Sequence, residues 1–333
     1  ARSSPMKHNA TSIPRADGPG QPLAMTVIPD SVPAIELEDV TRTFVPDRTL
    51  SRPRGSQRKT VTALDGVSAV VPQGQTVALL GRNGAGKTTL TKILSTLLNP
   101  TLGSARVLGH DVVTDARRAR ALSTTVFGGD RGLYGMLNGY ENLRYFGALN
   151  GVPARERRRR VPELLEHVGL GEAAHRRVET YSKGMRQRLH VAVGLLVRPR
   201  LLMLDEPTVG LDPIESERVR TTVAEMAAQG TTVLLTSHNL LDVERLADRV
   251  IMIASGRFTH DLPLEQFRRL TGVEAVVTAS FADAPPLEVP VPVWSLGVLD
   301  ELRERIDGQE LVDLAVRPST LEDAFAMAAR EER

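Results

Sequence analysis

The stretch that decides the fold is GRNGAGKT, residues 81–88. It matches the pattern G-x-x-x-x-G-K-[ST] and lies between a strand predicted at Thr76–Leu80 and a helix predicted over Thr88–Leu98. Its glycines permit backbone angles that turn consecutive N–H groups onto phosphate oxygens, and the helix directs its positive end at the same anion. Lys87 is expected to reach the β- and γ-phosphates, and the Thr88 hydroxyl to ligate Mg²⁺. The predicted nucleotide-binding residues are Gly81, Asn83, Gly84, Gly86, Lys87, Thr88 and Thr89.

Two further apolar strands, predicted at Leu201–Leu204 and Thr232–Thr236, end in polar residues. The carboxyl ends of parallel strands gather ligands at one edge of a sheet. We therefore expect Asp205 to hold Mg²⁺, Glu206 to act as general base on the attacking water, and His238 to contact the γ-phosphate. The alternatives are a helix cap for the acidic pair and a structural role for the histidine.

These residues, in this order, resemble the ATP-binding cassette (ABC) ATPases over about Ala34–Phe258. The stretch YSKGMRQR, residues 181–188, is similar to the signature motif of that family, with Lys183 in place of a glycine and Met185 in place of a glutamine. This version resembles the exporter subgroup that includes daunorubicin-resistance ATPases. The stretch PSTLEDAF, residues 318–325, is similar to the closing motif of many such exporter subunits.

The resemblance implies a pair of ATPase subunits, either a homodimer or this chain with a paired ATPase subunit. ATP on Lys87 of one subunit would be closed over by Ser182 and Gly184 of the other, which supply a hydroxyl, backbone donors and a helix N-terminus. Phe44 matches the position expected to stack on adenine, and its alternative is an ordinary core phenylalanine. Asp212 is expected at the interface of the pair.

One departure from the family concerns a glutamine that normally reaches Mg²⁺ and relays the nucleotide state to the membrane partner. Gly129 stands where that glutamine belongs, within VFGGD at residues 126–130. Either Asp130 substitutes for it, or the relay differs in this chain.

The composition limits the classes of partner and chemistry that can be expected. The chain has 333 residues, a net charge of +2 and no cysteine. The small charge gives no reason to expect nucleic acid, and the lack of cysteine excludes disulfides and thiolate chemistry. No apolar run approaches membrane-spanning length, and the N-terminus lacks a signal-peptide core. A membrane role must therefore come through partners, and the resemblance implies an integral membrane permease subunit, with this chain at the cytoplasmic face of the membrane. The basic run 155–160 is either a solvated helix face or a patch for anionic lipid or an acidic loop of a partner.

The predicted fold is α/β: a P-loop NTPase core of the ABC type, a β-rich flank, a helical subdomain and a small C-terminal α+β domain. A β-like stretch at Ala275–Phe281 and amphipathic helices around Leu302 and Leu321 indicate that last domain. The predicted boundaries are a disordered tail at 1–33, an ATP-binding domain at 34–270 with its helical subdomain at about 135–190, and the C-terminal domain at 271–333.

The expected function is ATP hydrolysis that powers efflux of a drug, lipid or glycan through a separate membrane subunit. One alternative is a soluble ABC ATPase acting on ribosomes or DNA, although such proteins usually carry two cassettes or a long coiled-coil insertion. Another is a regulatory, catalytically idle subunit of a heterodimeric transporter. Intact Glu206 and His238 speak against an idle subunit, whereas Gly129 and Lys183 leave it open.

Overall fold

The computed structural model describes residues 28–45, 60–127, 132–292, 303 and 310–328. The predictions made for residues 1–27, for Gly129 and Asp130, and for a helix around Leu302 lie outside this part of the chain.

A six-stranded sheet forms the centre of the molecule. Five neighbouring strands run parallel, and the sixth pairs antiparallel at one edge. Three central strands are buried at every residue, which is why they are nearly continuous apolar runs in the sequence. The strands predicted at Thr76–Leu80, Leu201–Leu204 and Thr232–Thr236 are confirmed. In spatial order they are β10 (Arg257–Pro263), β9 (Arg249–Ala254), β3 (Thr76–Leu80), β8 (Thr232–Thr236), β7 (Leu201–Asp205) and β6 (Ser123–Phe127).

An antiparallel four-stranded sheet forms the β-rich flank. Its first strand in the sequence runs from Ile35 to Phe44. Residues 28–33 belong to the ordered fold, contrary to the predicted tail boundary. Ile28 is buried in the apolar core, and Gln73 Nε2 donates to the Val32 carbonyl at 2.8 Å. In spatial order the strands are β2 (Val61–Val71), β1 (Ile35–Phe44), β4 (Leu102–Val107) and β5 (His110–Asp111).

Helices alternate with the central strands along the chain. The first helix is shorter than predicted, because it ends at Leu94 rather than at Leu98. Thr96 has a φ of +60°, and the N–H groups of Leu97 and Leu98 both bond to the Lys92 carbonyl, which closes the helix early. The helices up to residue 268 are α1 (Lys87–Leu94), α2 (Ala116–Leu122), α3 (Gly139–Leu149), α4 (Ala154–His167), α5 (Lys183–Leu196), α6 (Pro213–Ala228), α7 (Leu240–Leu246) and α8 (Leu264–Arg268).

The helices α3, α4 and α5 pack around an apolar cluster of their own, centred on Leu143, Val161 and Leu189. A capping box starts α3: the Asn138 side chain accepts from the Glu141 N–H at 2.8 Å, and the Glu141 carboxylate accepts from the Asn138 N–H at 2.9 Å. This cluster is a helical subdomain in the predicted region.

The basic run at the start of α4 does not form one solvated face. Arg155, Arg158 and Arg159 are exposed, whereas Arg160 is buried and donates to the Leu195 carbonyl at 3.1 Å. Burial lowers the pKa of Arg160, and Arg198 nearby lowers it further.

A three-stranded antiparallel sheet and a final helix follow the central sheet. The predicted strand at 275–281 and the helix around Leu321 are confirmed, whereas the other two strands were not predicted. The final helix buries Leu321 in one apolar cluster with Val243 and Phe267, so it packs against α7 and α8. No helix in the described part of the chain is long and apolar enough to cross a membrane. The elements are β11 (Ala275–Phe281), β12 (Leu287–Val291), β13 (Leu311–Pro318) and α9 (Leu321–Ala328).

Candidate active site

The phosphate loop joins β3 to α1 and is shaped by glycines that tolerate no side chain. Gly86 has a φ of +121°, and a Cβ added there would lie 2.5 Å from the Ala63 carbonyl oxygen. A Cβ added at Gly81 would lie 2.3 Å from the Ile253 carbonyl oxygen. The loop therefore passes closely between β2 and β9 before α1 begins at Lys87.

Lys87 is buried, and its ammonium is anchored to the same loop. Its Nζ donates to the Gly81 carbonyl at 2.6 Å and to the Arg82 carbonyl at 3.2 Å. Burial lowers the pKa of Lys87, while the Glu206 and Asp205 carboxylates oppose that change. The cation is thus held at the loop, with two carboxylates close enough to influence it.

Asp205 ends β7, and its carboxylate accepts hydrogen bonds from hydroxyl groups of two other segments. Thr88 Oγ1 donates to its Oδ2 at 3.3 Å, and Thr236 Oγ1 donates to its Oδ1. Thr88 lies at the start of α1 and Thr236 at the end of β8, so three predicted segments meet at the carboxyl edge of the sheet. Hydroxyl and carboxylate oxygens are the hard ligands that Mg²⁺ prefers, which makes Thr88 and Asp205 a fitting pair for that ion.

Glu206 and His238 are in direct contact beside this pair. His238 Nδ1 lies 2.5 Å from Glu206 Oε2, and the His238 N–H donates to the same oxygen at 3.2 Å. Glu206 has a left-handed φ of +55°, and its N–H donates to the Thr236 carbonyl at 2.9 Å. For a residue other than glycine, this left-handed backbone conformation costs about 1–3 kcal/mol, and such conformations cluster at functional sites. The predicted general base and the histidine predicted to contact the γ-phosphate thus lie together.

The signature motif 181–188 lies at the start of α5. Ser182 is the N-cap residue, and its Oγ accepts from the Met185 N–H at 3.1 Å. Gly184 packs against α6, because a Cβ added there would lie 2.7 Å from Glu215 Cγ. Ser182 thus caps α5, and Gly184 lies against α6.

Comparison with known proteins assigns the family. The family described as ABC transporter matches residues 64–209. The chain is 36% identical over 294 residues to the daunorubicin resistance ATP-binding protein DrrA3 of Streptomyces coeruleorubidus, covering 81% of this chain and 92% of that protein. The chain belongs to the ABC transporter family. This ABC ATPase is the ATP-binding subunit of an exporter and hydrolyses ATP for transport.

Two solved structures share the fold of this chain. An ATP-binding subunit of an ABC transporter has a TM-score of 0.60 and 29% identity, covering 72% of this chain and 93% of its own. The ATP-binding cassette MJ0796, a dimer bound to ADP and Pi, has a TM-score of 0.60 at 23% identity, covering 69% of this chain and 98% of its own. The predicted α/β P-loop fold of this ABC ATPase is confirmed. The ABC cassette binds ATP or ADP, and ABC ATPases dimerise and pair with membrane subunits.

Phe44 lies at the end of β1, partly exposed, with the Arg42 guanidinium 4.6 Å from its ring centroid. It pairs in register with Val61, and Ala63, two residues along β2, contacts the phosphate loop at Gly86. Phe44 is thus on the flank sheet, with the Arg42 guanidinium over one face of its ring. Its role toward adenine stays a prediction.

Sequence reasoning missed two features of this ABC ATPase. Arg188, quoted only as the end of the signature motif, forms a buried ion pair with Glu215 at 2.7 Å. Asp242 is wholly buried beside the loop that carries His238. A charged residue among the apolar positions of a short helix directly after a strand end is the signal that could have revealed Asp242.

Proposed function

We propose that this chain binds MgATP at its phosphate loop and hydrolyses it with Glu206 as general base, while a second ATPase subunit closes the site. One observation carries the proposal: the Glu206 carboxylate lies 2.5 Å from His238 Nδ1, at the sheet edge where Thr88 meets Asp205. A carboxylate there can accept the proton of a water that His238 holds in line with the γ-phosphate. The contact with His238 orients the carboxylate before any water arrives.

Thr88 and Asp205 are the proposed protein ligands of Mg²⁺, with Asp205 acting through water. Their oxygens lie 3.3 Å apart and belong to two different segments, α1 and β7. Mg²⁺ usually keeps several waters and takes few protein ligands besides the phosphates of its substrate. When bound, the ion neutralises charge on the phosphates, while Lys87 holds them at the loop.

The second ATPase subunit is proposed to be a second copy of this chain or a paired ATPase chain. Its residues equivalent to Ser182 and Gly184 would close over the γ-phosphate, since Ser182 is exposed at the N-terminus of a 14-residue helix. The apolar side chains of Val209 and Ile214 are exposed on either side of Asp212, the residue expected at the interface. Exposed apolar groups in this position support an interface between subunits.

An integral membrane permease subunit is proposed to dock on an aromatic patch of the helical subdomain, at the cytoplasmic face of the membrane. The rings of Tyr134 and Tyr145 meet edge to face at 4.9 Å, and their hydroxyls are 3.2 Å apart. Met136 and Leu149 are exposed nearby in the sequence, on the segment before α3 and at its end. Exposed apolar and aromatic side chains of this kind favour a protein partner.

The proposed cargo is a drug, lipid or glycan that the permease selects. The name of the relative DrrA3, a daunorubicin resistance protein, supports the drug class.

The variant Glu206→Gln tests the proposal. The glutamine carbonyl can still accept both hydrogen bonds from His238, but it cannot take a proton from water. We expect kcat to fall about 10²- to 10⁴-fold, while the Kd for ATP stays unchanged and an ATP-bound dimer accumulates in size-exclusion chromatography. Glu163→Gln, at an exposed position of α4, is the control and should keep wild-type turnover. Wild-type turnover in Glu206→Gln would refute the general-base assignment.

A further inference from the structure

Asp242 is a wholly buried carboxylate that the proposed hydrolysis does not use. It lies on α7, four residues after His238. Its Oδ1 accepts from Arg220 Nη1 at 2.7 Å. Its Oδ2 accepts from Thr208 Oγ1 at 2.5 Å and from Ser237 Oγ at 3.0 Å. One cation and two hydroxyls thus bind this carboxylate.

The three partners of Asp242 come from three different segments. Arg220 belongs to α6, Thr208 to the loop after β7, and Ser237 to the loop after β8, and all three are buried. Taking a carboxylate and a guanidinium out of water carries a large desolvation penalty, so an apolar pair would hold α6 against α7 at least as well. The polar groups instead fix how these segments lie relative to one another, because hydrogen bonds constrain distances and angles.

Two of these segments carry the pair that we assign to hydrolysis. Thr208 lies two residues after Glu206, and Ser237 directly precedes His238. Because one oxygen of Asp242 binds both hydroxyls, it fixes the separation of the two loops next to the point where Glu206 and His238 meet. The left-handed backbone of Glu206 also requires support from its surroundings.

We propose that Asp242 is a positioning residue for ATP hydrolysis: by binding Thr208 and Ser237 through one oxygen, it holds Glu206 and His238 in contact. The inference rests on the proposed role of Glu206 as general base. It predicts that loss of the carboxylate slows turnover while ATP binding at the phosphate loop is retained.

Two variants of the full chain test this role. Asp242→Asn keeps the shape of the side chain but leaves either Arg220 or the two hydroxyls without an acceptor. Thr208→Val also keeps the shape and removes one hydroxyl–carboxylate bond without changing the ion pair. We expect kcat to fall about 10- to 100-fold in Asp242→Asn, as for a small misplacement of reacting groups. For Thr208→Val we expect a fall of about 3- to 10-fold. In both variants the KM and the equilibrium Kd for ATP should stay within about twofold of wild type, because uniform binding is untouched.

Asp261→Asn is the matched control. Asp261 accepts two bonds from Arg249, at 2.5 and 2.6 Å, between β9 and β10 and outside the two loops. Breaking this ion pair should lower the melting temperature without lowering kcat.

Three outcomes would overturn the proposal. One is a wild-type kcat in Asp242→Asn and Thr208→Val, and another is ATP binding weakened as much as turnover. If Asp242→Asn does not fold, Thr208→Val decides alone, and an unchanged kcat overturns the role. Glu206→Gln, measured in parallel, separates the two proposals: loss of turnover there, with none in Asp242→Asn, refutes the positioning role alone.

Discussion

Replacing Arg188 by methionine is expected to loosen the signature helix α5 from its neighbours. The Arg188 side chain is only 6% exposed, and its Nε lies 2.7 Å from Glu215 Oε2. Its Nη1 donates to the carbonyls of Val168 and Gly169 at 2.6 and 2.8 Å. One guanidinium therefore joins α5 to the start of α6 and to the end of α4.

The size of the effect follows from what the substitution leaves behind. Removing one partner of a buried ion pair costs about 3–5 kcal/mol, because the other charge stays buried without compensation. Glu215 keeps a second partner, Arg218, at 3.1 Å, so the lower end of that range applies. The two carbonyls that lose a donor add about 1 kcal/mol or more. We expect Arg188→Met to lower the free energy of unfolding by about 4 kcal/mol.

Urea unfolding followed by circular dichroism measures this loss, and a change in the midpoint at constant m reports stability. Arg218→Met is the matched control, since Arg218 contacts the same Glu215 carboxylate but has a side chain that is 56% exposed. An exposed ion pair contributes about 0–1 kcal/mol, so the control should stay within that range. Equal losses in the two variants would refute the reasoning, because burial would then not decide the cost.

Two further predictions concern the ATP sites shared between two subunits and the closing motif at residues 318–325. If the protein is a homodimer whose two ATP sites each combine Lys87 of one chain with Ser182 of the other, pairing a Lys87→Ala chain with a Ser182→Arg chain leaves one of the two sites intact. Each such mixed dimer should regain up to about half of wild-type ATPase activity if the sites act independently. No recovery in the purified mixed dimer would contradict independent sites of this kind. The hydrogen bond from Arg317, opposed by desolvation, lowers the pKa of Asp323 to about 2. Its stabilisation is therefore full above the unfolded pKa of about 3.9 and is lost as the pH falls toward the folded value. Asp323→Asn should lower the melting temperature at pH 7, and the difference from wild type should shrink between about pH 4 and pH 2; a difference that persists at pH 2 would exclude this linkage.

The local elements of the core could be predicted because their determinants are local. The pattern of Gly86 and Lys87 after an apolar strand predicts a phosphate-binding turn, because its glycines permit backbone angles that other residues avoid. The runs at β7 and β8 are apolar throughout because both faces of a parallel strand are covered. Asp205 and Glu206 follow directly from their place at a strand end, since ligands collect at the carboxyl edge of such sheets.

Other elements could not be predicted, because a local turn ends a helical pattern early or because contacts distant in sequence decide the structure. Thr88–Leu98 has a helical pattern, yet α1 ends at Leu94, where Thr96 turns left-handed. Residues 28–33 have the composition of a tail, yet Ile28 reaches the core. The exposed strand β13 lacks the buried face that would mark it in the sequence, and it forms because β11 offers a partner edge.

What the sequence by itself determined is the inventory of this ATPase: the phosphate loop, the carboxylates at the strand end, His238 and the signature motif. Only the tertiary structure decided which of them meet. Glu206 contacts His238 across 32 residues, and Asp242 binds Thr208 across 34. Each of these contacts depends on where two separate loops leave the sheet. Packing of the whole domain sets that geometry, and no short stretch of the chain encodes it.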